Sequence, residues 1–308
     1  MKNYKIILIV MLMAVASLVH AQNANEFTIP LSDPSKRGML KAYLKYGSIT
    51  VKGTARKDVL VKYNTAKPER ANRDNDGDDE GDDEDDDDKK RRVKSIVKVD
   101  VNVKVDGQGK KSGEDPSKDG LKKISGSGLQ LDASENGNLV KVGSDSWNAR
   151  TNLEIEVPSG MDVKISAYND GDIILSNVQG EVELTNYNGP ITALNITGSV
   201  IATTYNGTIK VTFDKVDGEK PMSYSTYNGD IDLTFPAATK AIFKMKTERG
   251  DIYTGFEMNI TSSGPVKQQD KSGGYKMKID EWKRGDINGG GPEFTLKNYN
   301  GDIYIRKK

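Results

Sequence analysis

Residues 168–211 read YNDGDIILSNVQGEVELTNYNGPITALNITGSVIATTYNGTIKV, and the spacing of their glycines decides the fold. Gly171, Gly180, Gly189, Gly198 and Gly207 recur every nine positions. Two residues after each stand Ile173, Val182, Ile191, Val200 and Ile209, and four after each stand Leu175, Leu184, Ala193, Ala202 and Val211. Apolar residues alternating with polar ones mean half-buried strands. A fixed short period of strand plus turn is the signature of stacked coils, none of which is stable alone. Two nine-residue units predict a coil of about 18 residues.

Every second glycine closes the same phrase: Tyr187-Asn188-Gly189, Tyr205-Asn206-Gly207, Tyr227-Asn228-Gly229 and Tyr299-Asn300-Gly301. Tyr168-Asn169-Asp170-Gly171 is that phrase with one residue inserted, and Tyr46-Gly47-Ser48-Ile49 is an early echo. Glu248-Arg249-Gly250-Asp251-Ile252 keeps the glycine and loses the aromatic. Counting by twos through each glycine puts it inward, where a tight corner or a close backbone approach has no room for a side chain. Asparagines at equivalent corners are placed to hydrogen-bond from coil to coil. The tyrosine series could form a stripe on which sugar rings stack, but the same count assigns Tyr187 and Tyr205 to the core side, with Ile191 and Ile209, and favours a core or corner ladder. It turns Tyr253, Tyr304, Ile174 and Ile201 outward. Intervals of 22 and 21 residues before Gly229 and Gly250 predict larger corners in the later coils.

Outside this beat the pattern remains all-β. Val97 to Val105 alternate with polar residues, as do Leu153, Ile155 and Val157, and no segment after the leader has a helical period. We expect residues 22–152 to be an irregular β region, with an acidic disordered loop at 74–92 and a flexible loop at 106–128, continuous with a solenoid over 153–308.

The chain begins with Lys2 and Lys5, an apolar run from Ile6 to Val19, and Val19-His20-Ala21 before Gln22. This reads as a signal peptide over 1–21, too short to span a bilayer. No cysteine is present for lipid attachment, and no later run is apolar enough to cross a membrane. The expected location is therefore the periplasm or the cell surface, with no transmembrane segment after cleavage. The single histidine is His20, so the mature chain would carry neither histidine nor cysteine. That excludes thiol catalysis, Ser-His-Asp chemistry, disulfides, haem ligation and ordinary zinc sites.

Twelve of the 45 acidic residues fall between Asp74 and Asp88, and Lys89 to Arg92 follow at once. A block of like charge cannot bury apolar surface and is expected to remain solvated. Asp76, Asp78, Glu80, Gly81 and Asp87 match an EF-hand spacing, but Asp stands where Glu is required and no helices flank the tract. Asp172, Asp230, Asp251, Asp286 and Asp302 follow glycines, as in calcium-binding rolls, yet Pro190, Ser199 and Thr208 take that position elsewhere. We expect no metal and no cofactor, and read these aspartates as outward charges. The basic surplus outside the tract is dispersed, which argues against nucleic acid as a partner.

The Tyr-Asn-Gly-x-Ile phrase, the Ile155-Glu156-Val157-Pro158 lead-in and the closing Gly289-Gly290-Gly291, Phe294-Thr295-Leu296 and Gly301-Asp302-Ile303 resemble the bacterial "putative adhesin" family with β-strand repeats. That family is a domain of unknown function related to the GIN head domain of autotransporter adhesins. The resemblance covers about residues 26–308. It implies a single-stranded, right-handed parallel β-helix that is exported, acts in surface adhesion and carries no catalytic residues. Expected partners are an envelope or extracellular polysaccharide or protein, met at Tyr253, Tyr304 and Trp282. Trp282 follows the alternating Tyr275, Met277 and Ile279. Two readings of another class stand beside it. One is a periplasmic structural or sensing protein, expected because no translocator barrel, anchor or sorting domain is evident after the closing repeat strand; separately, its basic tail, Arg306 to Lys308, would discourage an exposed end from pairing. The other is a polysaccharide-active enzyme using Asp170 with Asp172, or Asp251 with Arg249 and Lys246.

Overall fold

The computed structural model describes residues 25–66, 131–147, 149–262, 266–269, 275–278 and 282–308. The expected leader, the acidic tract, the 106–128 loop, the Val97 to Val105 alternation and Ile279 lie outside the described residues. The described residues belong to one compact unit, 1–68 with 126–308; the other unit, 69–125, lies outside them. Among the described residues every regular element is a strand, and no helix is long and apolar enough to cross a membrane.

Two parallel ladders face each other across the core. The first stacks Leu139–Ser144, Met39–Tyr46, Asp162–Asn169, Glu181–Asn188, the second half of Ile191–Asn206, Met222–Ser225, Glu293–Lys297 and Ala241–Lys246. The second stacks Arg150–Pro158, Ile49–Thr54, Ile173–Ser176, the first half of Ile191–Asn206, Ile209–Val216, Ile231–Phe235, Ile303–Lys307 and Ile252–Thr254. Antiparallel strands flank these stacks. Asp132–Asn136 joins the first at one end, and Lys283–Ile287 with Asn259–Ser262 at the other. Asp58–Ala66 and Glu26–Pro30 extend the second. A separate hairpin pairs Val266–Gln269 with Tyr275–Lys278.

In the central coils Val182 pairs with Val200 and Ile191 with Ile209, an offset of one 18-residue coil. Equivalent positions therefore stack into rows. Leu153, Ile49, Ile173, Ile191, Ile209, Ile231 and Ile303 form one continuous row, all buried. Burying each such side chain is worth about 1.5–3 kcal/mol relative to leaving it in water. Toward the C-terminal coils Phe213 and Phe235 on this ladder and Phe243 and Phe294 on the facing one form an aromatic cluster, with stacked and edge-on ring centres 5.1–5.7 Å apart.

Three expectations change. Residues 39–54 are no irregular region: they form a regular coil lying between 139–158 and 162–176. The last coil of the chain, 293–307, likewise lies between 222–235 and 241–254. The long interval before Gly250 is thus a connection across an intervening coil rather than an enlarged corner. Nor is the C-terminal strand an exposed end, because Ile303–Lys307 is paired on both sides. Pairing between strands distant in sequence leaves no mark on local spacing, which is why neither insertion could be counted from the repeats.

Candidate functional site

The repeated phrase builds one corner in each coil that carries it. A Cβ added at Gly207 would stand 2.2 Å from the Gly189 carbonyl oxygen, and one at Gly301 would stand 2.4 Å from that of Gly229. Gly301 also has φ +130, which L side chains rarely adopt. Glycine is required there by backbone lying on backbone. The asparagine amides run beside it as a ladder. Asn188 donates to Asn169 at 3.1 Å, Asn206 to Asn188 at 2.8 Å, Asn228 to Asn206 at 2.7 Å and Asn300 to Asn228 at 2.7 Å.

The residue three before the corner glycine is, in five coils, a further member of the device that our reading missed. Asn186, Thr204, Thr226, Asn298 and Thr247 point inward and donate to the glycine carbonyl of the adjoining coil, at 2.9–3.0 Å. Each satisfies an acceptor that a buried corner would otherwise leave unpaired. The available signal was an Asn or Thr three residues before Gly189, Gly207, Gly229, Gly250 and Gly301, although Ala167 precedes Tyr168.

With Asn186 inward, Tyr187 must face out, and the tyrosines correct our sequence reading. Asn186 is 2% exposed, whereas Tyr168, Tyr187, Tyr205 and Tyr227 are 44%, 42%, 43% and 38% exposed. In this coil the core positions run 182, 184, 186 and then 191, 193. Four residues, 187–190, separate the core positions 186 and 191, and this even number reverses the parity on which the inward assignment rested.

Tyr168, Tyr187, Tyr205, Tyr227 and Tyr299 form one outward stack, with ring centres 4.6–5.2 Å apart and planes within 7° of parallel. Trp147 meets Tyr168 edge-on at 5.3 Å, with Lys45 Nζ 5.7 Å from the Trp147 ring centre. Arg249 sits 5.6 Å from the Tyr299 ring at the other end. Ring faces inside the stack are therefore spent on each other, and the surface they offer is edges and phenol hydroxyls. Two residues earlier in each strand stand Ser166, Thr185, Thr203 and Ser225, register partners in a second outward row. Together the rows line a groove of about 1020 Å³, bounded by Tyr43 and Lys45 at one end and by Lys246, Glu248, Lys297 and Trp282 at the other.

Of the three residues expected to meet a partner, only Trp282 lines this groove; it is half-buried, with Lys244 Nζ 4.8 Å from its ring centre. Tyr253 and Tyr304 lie on the second ladder, stacked on each other at 5.2 Å. Ile174 and Ile201 face outward as the alternation predicts. Tyr304 donates to Asp302 Oδ2 at 2.9 Å, and that bond pushes the Tyr304 phenol up to about 12. Asp302 is held below its usual range by the Asp251 amide, 2.8 Å from its Oδ1, and by Tyr304.

The Gly-Asp residues are accordingly more than solvated charges. Asp230 accepts the Asp302 backbone N–H and Asp302 accepts that of Asp251, each at 2.8 Å, so they cap the adjoining coil. Among the described residues no group of three or more acidic side chains is arranged to hold a metal ion. Asp170 pairs with Arg150 at 3.3 Å, and Lys246 pairs with Glu248 at 2.7 Å. None of Asp170, Asp172 and Asp251 lines the groove.

No curated protein matches the chain. The chain aligns with the crystal structure, at 1.95 Å, of a "putative cell adhesion protein" from Clostridium sporogenes ATCC 15579, over 92% of this chain and 99% of that one, at 10% identity and a TM-score of 0.41. The family model Toastrack DUF4097 matches residues 159–288, which hold the central coils and most of the tyrosine groove, so this stretch is similar to a family described as a domain of unknown function.

Proposed function

We propose that the protein is an adhesin-like, non-catalytic binding protein that holds an extended polymer along the tyrosine groove. The right-handed winding and the export implied by the sequence belong to the same proposal. The observation that carries it is the groove itself. Five rings and four hydroxyls are repeated at one coil spacing on an outward face, where polar or charged residues would serve solubility better. A surface regular along the coil axis suits a ligand that is itself regular, with many weak contacts adding along a rigid support.

A glycan chain fits better than a peptide. An extended peptide presents like-facing side chains about 6.7 Å apart, while coils repeat about every 4.8 Å, so the two fall out of step within a few coils. Pyranose units offer hydroxyls that can both donate and accept, matching phenols and Ser/Thr hydroxyls. The test is titration of the mature protein with linear oligosaccharides by calorimetry. Tyr205→Phe and Thr203→Val remove one hydroxyl each and preserve shape. We expect several-fold weaker binding in each with unchanged thermal stability; equal binding by both variants would contradict the reading. Protease accessibility on intact against permeabilised cells addresses location: surface cleavage favours adhesion, and protection favours a periplasmic structural or sensing role.

A further inference from the structure

The two ends of the groove differ in how their charges are engaged, and the difference bears on what the groove holds. Lys297 and Lys246 are register partners on adjacent strands, both outward. Like charges directly opposite one another are destabilising. Glu248 pairs with Lys246 at 2.7 Å, whereas Lys297 is exposed and has no carboxylate partner among the described residues. Arg249 over Tyr299 and Lys244 over Trp282 add two more cations beside this end. At the Tyr43 end the charged residue lining the groove is Lys45, and its ammonium is engaged over the Trp147 and Tyr168 rings. Between the ends the floor is uncharged: Ser166, Thr185, Thr203 and Ser225.

Resting on the reading of the groove as a glycan site, we propose that the Lys297 end binds the carboxylate of an acidic sugar unit. Neutral units would then lie on the hydroxyl rows toward Tyr43. A carboxylate at Lys297 relieves the repulsion with Lys246 and forms a charge-assisted hydrogen bond. The uncharged floor of Ser166, Thr185, Thr203 and Ser225 offers no counter-charge to a chain charged at every unit. The ligand class is therefore a linear glycan in which acidic and neutral sugars are interspersed. Five coil rises of about 4.8 Å separate Lys45 from Lys297, so affinity should grow with chain length until the ligand spans roughly 24 Å.

The test uses the mature full chain and three linear probes by calorimetry: hyaluronate oligomers (alternating acidic and neutral units), polygalacturonate oligomers (all acidic) and chitin oligomers (neutral). Hyaluronate is expected to bind most tightly. Lys297→Gln should weaken it about tenfold, consistent with loss of a hydrogen bond to a charged group, while Lys210→Gln on the opposite ladder leaves it unchanged. Raising salt should remove most of the difference between Lys297→Gln and the parent. Chitin binding as tight as hyaluronate, or Lys297→Gln without effect, overturns the acidic-unit proposal and leaves the groove reading standing. Polygalacturonate binding tightest overturns the interspersed pattern. Failure of all three probes overturns both.

Discussion

The central coils, 162–235, and the C-terminal end, 241–254 with 293–307, are built from the same phrase but assembled differently. In the centre each coil stacks on its sequence neighbour. At the end the chain passes over one position, turns through the 283–287 strand and returns to fill it. The corner ladders cross the inserted coil without interruption. Gly301 lies on Gly229 and Gly250 on Gly301, while Asn300 donates to Asn228 and Tyr299 stacks on Tyr227. The phrase therefore specifies how a coil meets any neighbour, and leaves which neighbour to the connections. The functional surface depends on this: Lys297 and Tyr299 reach the groove only because the last coil is inserted.

The largest expected effect comes from closing the corner. Gly207→Ala would put a Cβ 2.2 Å from the Gly189 carbonyl in a coil held on both sides, and Gly250→Ala would make a similar clash with Gly301 at the terminal coil. Overpacking of this kind costs about 1–3 kcal/mol or more. The central variant should lie at or above the top of that range and the terminal one near the bottom, because an end coil can yield locally. Equal losses in denaturant melts would show that centre and end are equally constrained.

Asn206 both donates to Asn188 and accepts from Asn228, so Asn206→Ala should cost about 1–3 kcal/mol through partners left unsatisfied. At the end the ladder stops: Arg249 takes the asparagine position and lies over Tyr299. Arg249→Asn should be close to neutral, a new hydrogen bond offsetting a lost cation–π contact worth about 0.5–1 kcal/mol. A large loss there would mean that the arginine caps the stack more strongly than geometry indicates.

Asn186 offers a gain. Its amide nitrogen serves the Gly171 carbonyl, but its buried Oδ1 has no hydrogen-bond partner. Thr204 and Thr226 make the equivalent bond with a hydroxyl. Asn186→Thr should therefore stabilise the protein by about 1 kcal/mol, read as a higher denaturation midpoint; destabilisation would mean that the amide's volume matters more than its unpaired oxygen.

The smallest effect concerns pH and separates the end from the centre. The terminal coils carry an Asp–Tyr bond where the central ones have Pro190, Thr208, or an aspartate (Asp172, Asp230) with no tyrosine two residues on. The Tyr304 phenol is raised from 10.0 to about 12, so the stability it contributes is complete below pH 10 and is lost as pH rises through about 12. Asp302 is lowered from 3.8, so its contribution is present above that value and is lost as pH falls through its folded pKa. Ultraviolet titration of the parent against Tyr304→Phe should show the missing phenolate appearing near pH 12. Its appearance near pH 10 would contradict the Asp302 bond.

Much of this was legible in residues 168–211. The glycine beat gave the coil length, and the asparagines the ladder, because both are local and repeat. The direction of the tyrosines was not, since alternation holds only within a strand and the corner between Asn186 and Ile191 resets it. The capping role of Asp230 and Asp302 was hidden because it joins residues 72 and 51 positions from their partners. Trp282 was recognisable as an aromatic worth testing, but its place in the groove depends on the long-range pairing of Lys283–Ile287 with Ala241–Lys246. Lys297 carried no local signal; its meaning comes from Lys246, far away in sequence and adjacent in the sheet.

The stacking order is the claim on which groove and charge asymmetry both rest, and disulfide trapping tests it directly in a chain that has no cysteine of its own. Asp232 is the register partner of Tyr304, and Tyr304 that of Tyr253. Adjacent strands lie about 4.8 Å apart and alternate ones about 9.6 Å apart, whereas a disulfide needs Cα atoms within about 7 Å. Under mild oxidation the Asp232→Cys, Tyr304→Cys pair should cross-link nearly completely by mass spectrometry, and the Asp232→Cys, Tyr253→Cys pair should remain reduced. Cross-linking of the second pair in place of the first would mean that the coils stack in sequence order and that Lys297 and Tyr299 do not belong to the groove.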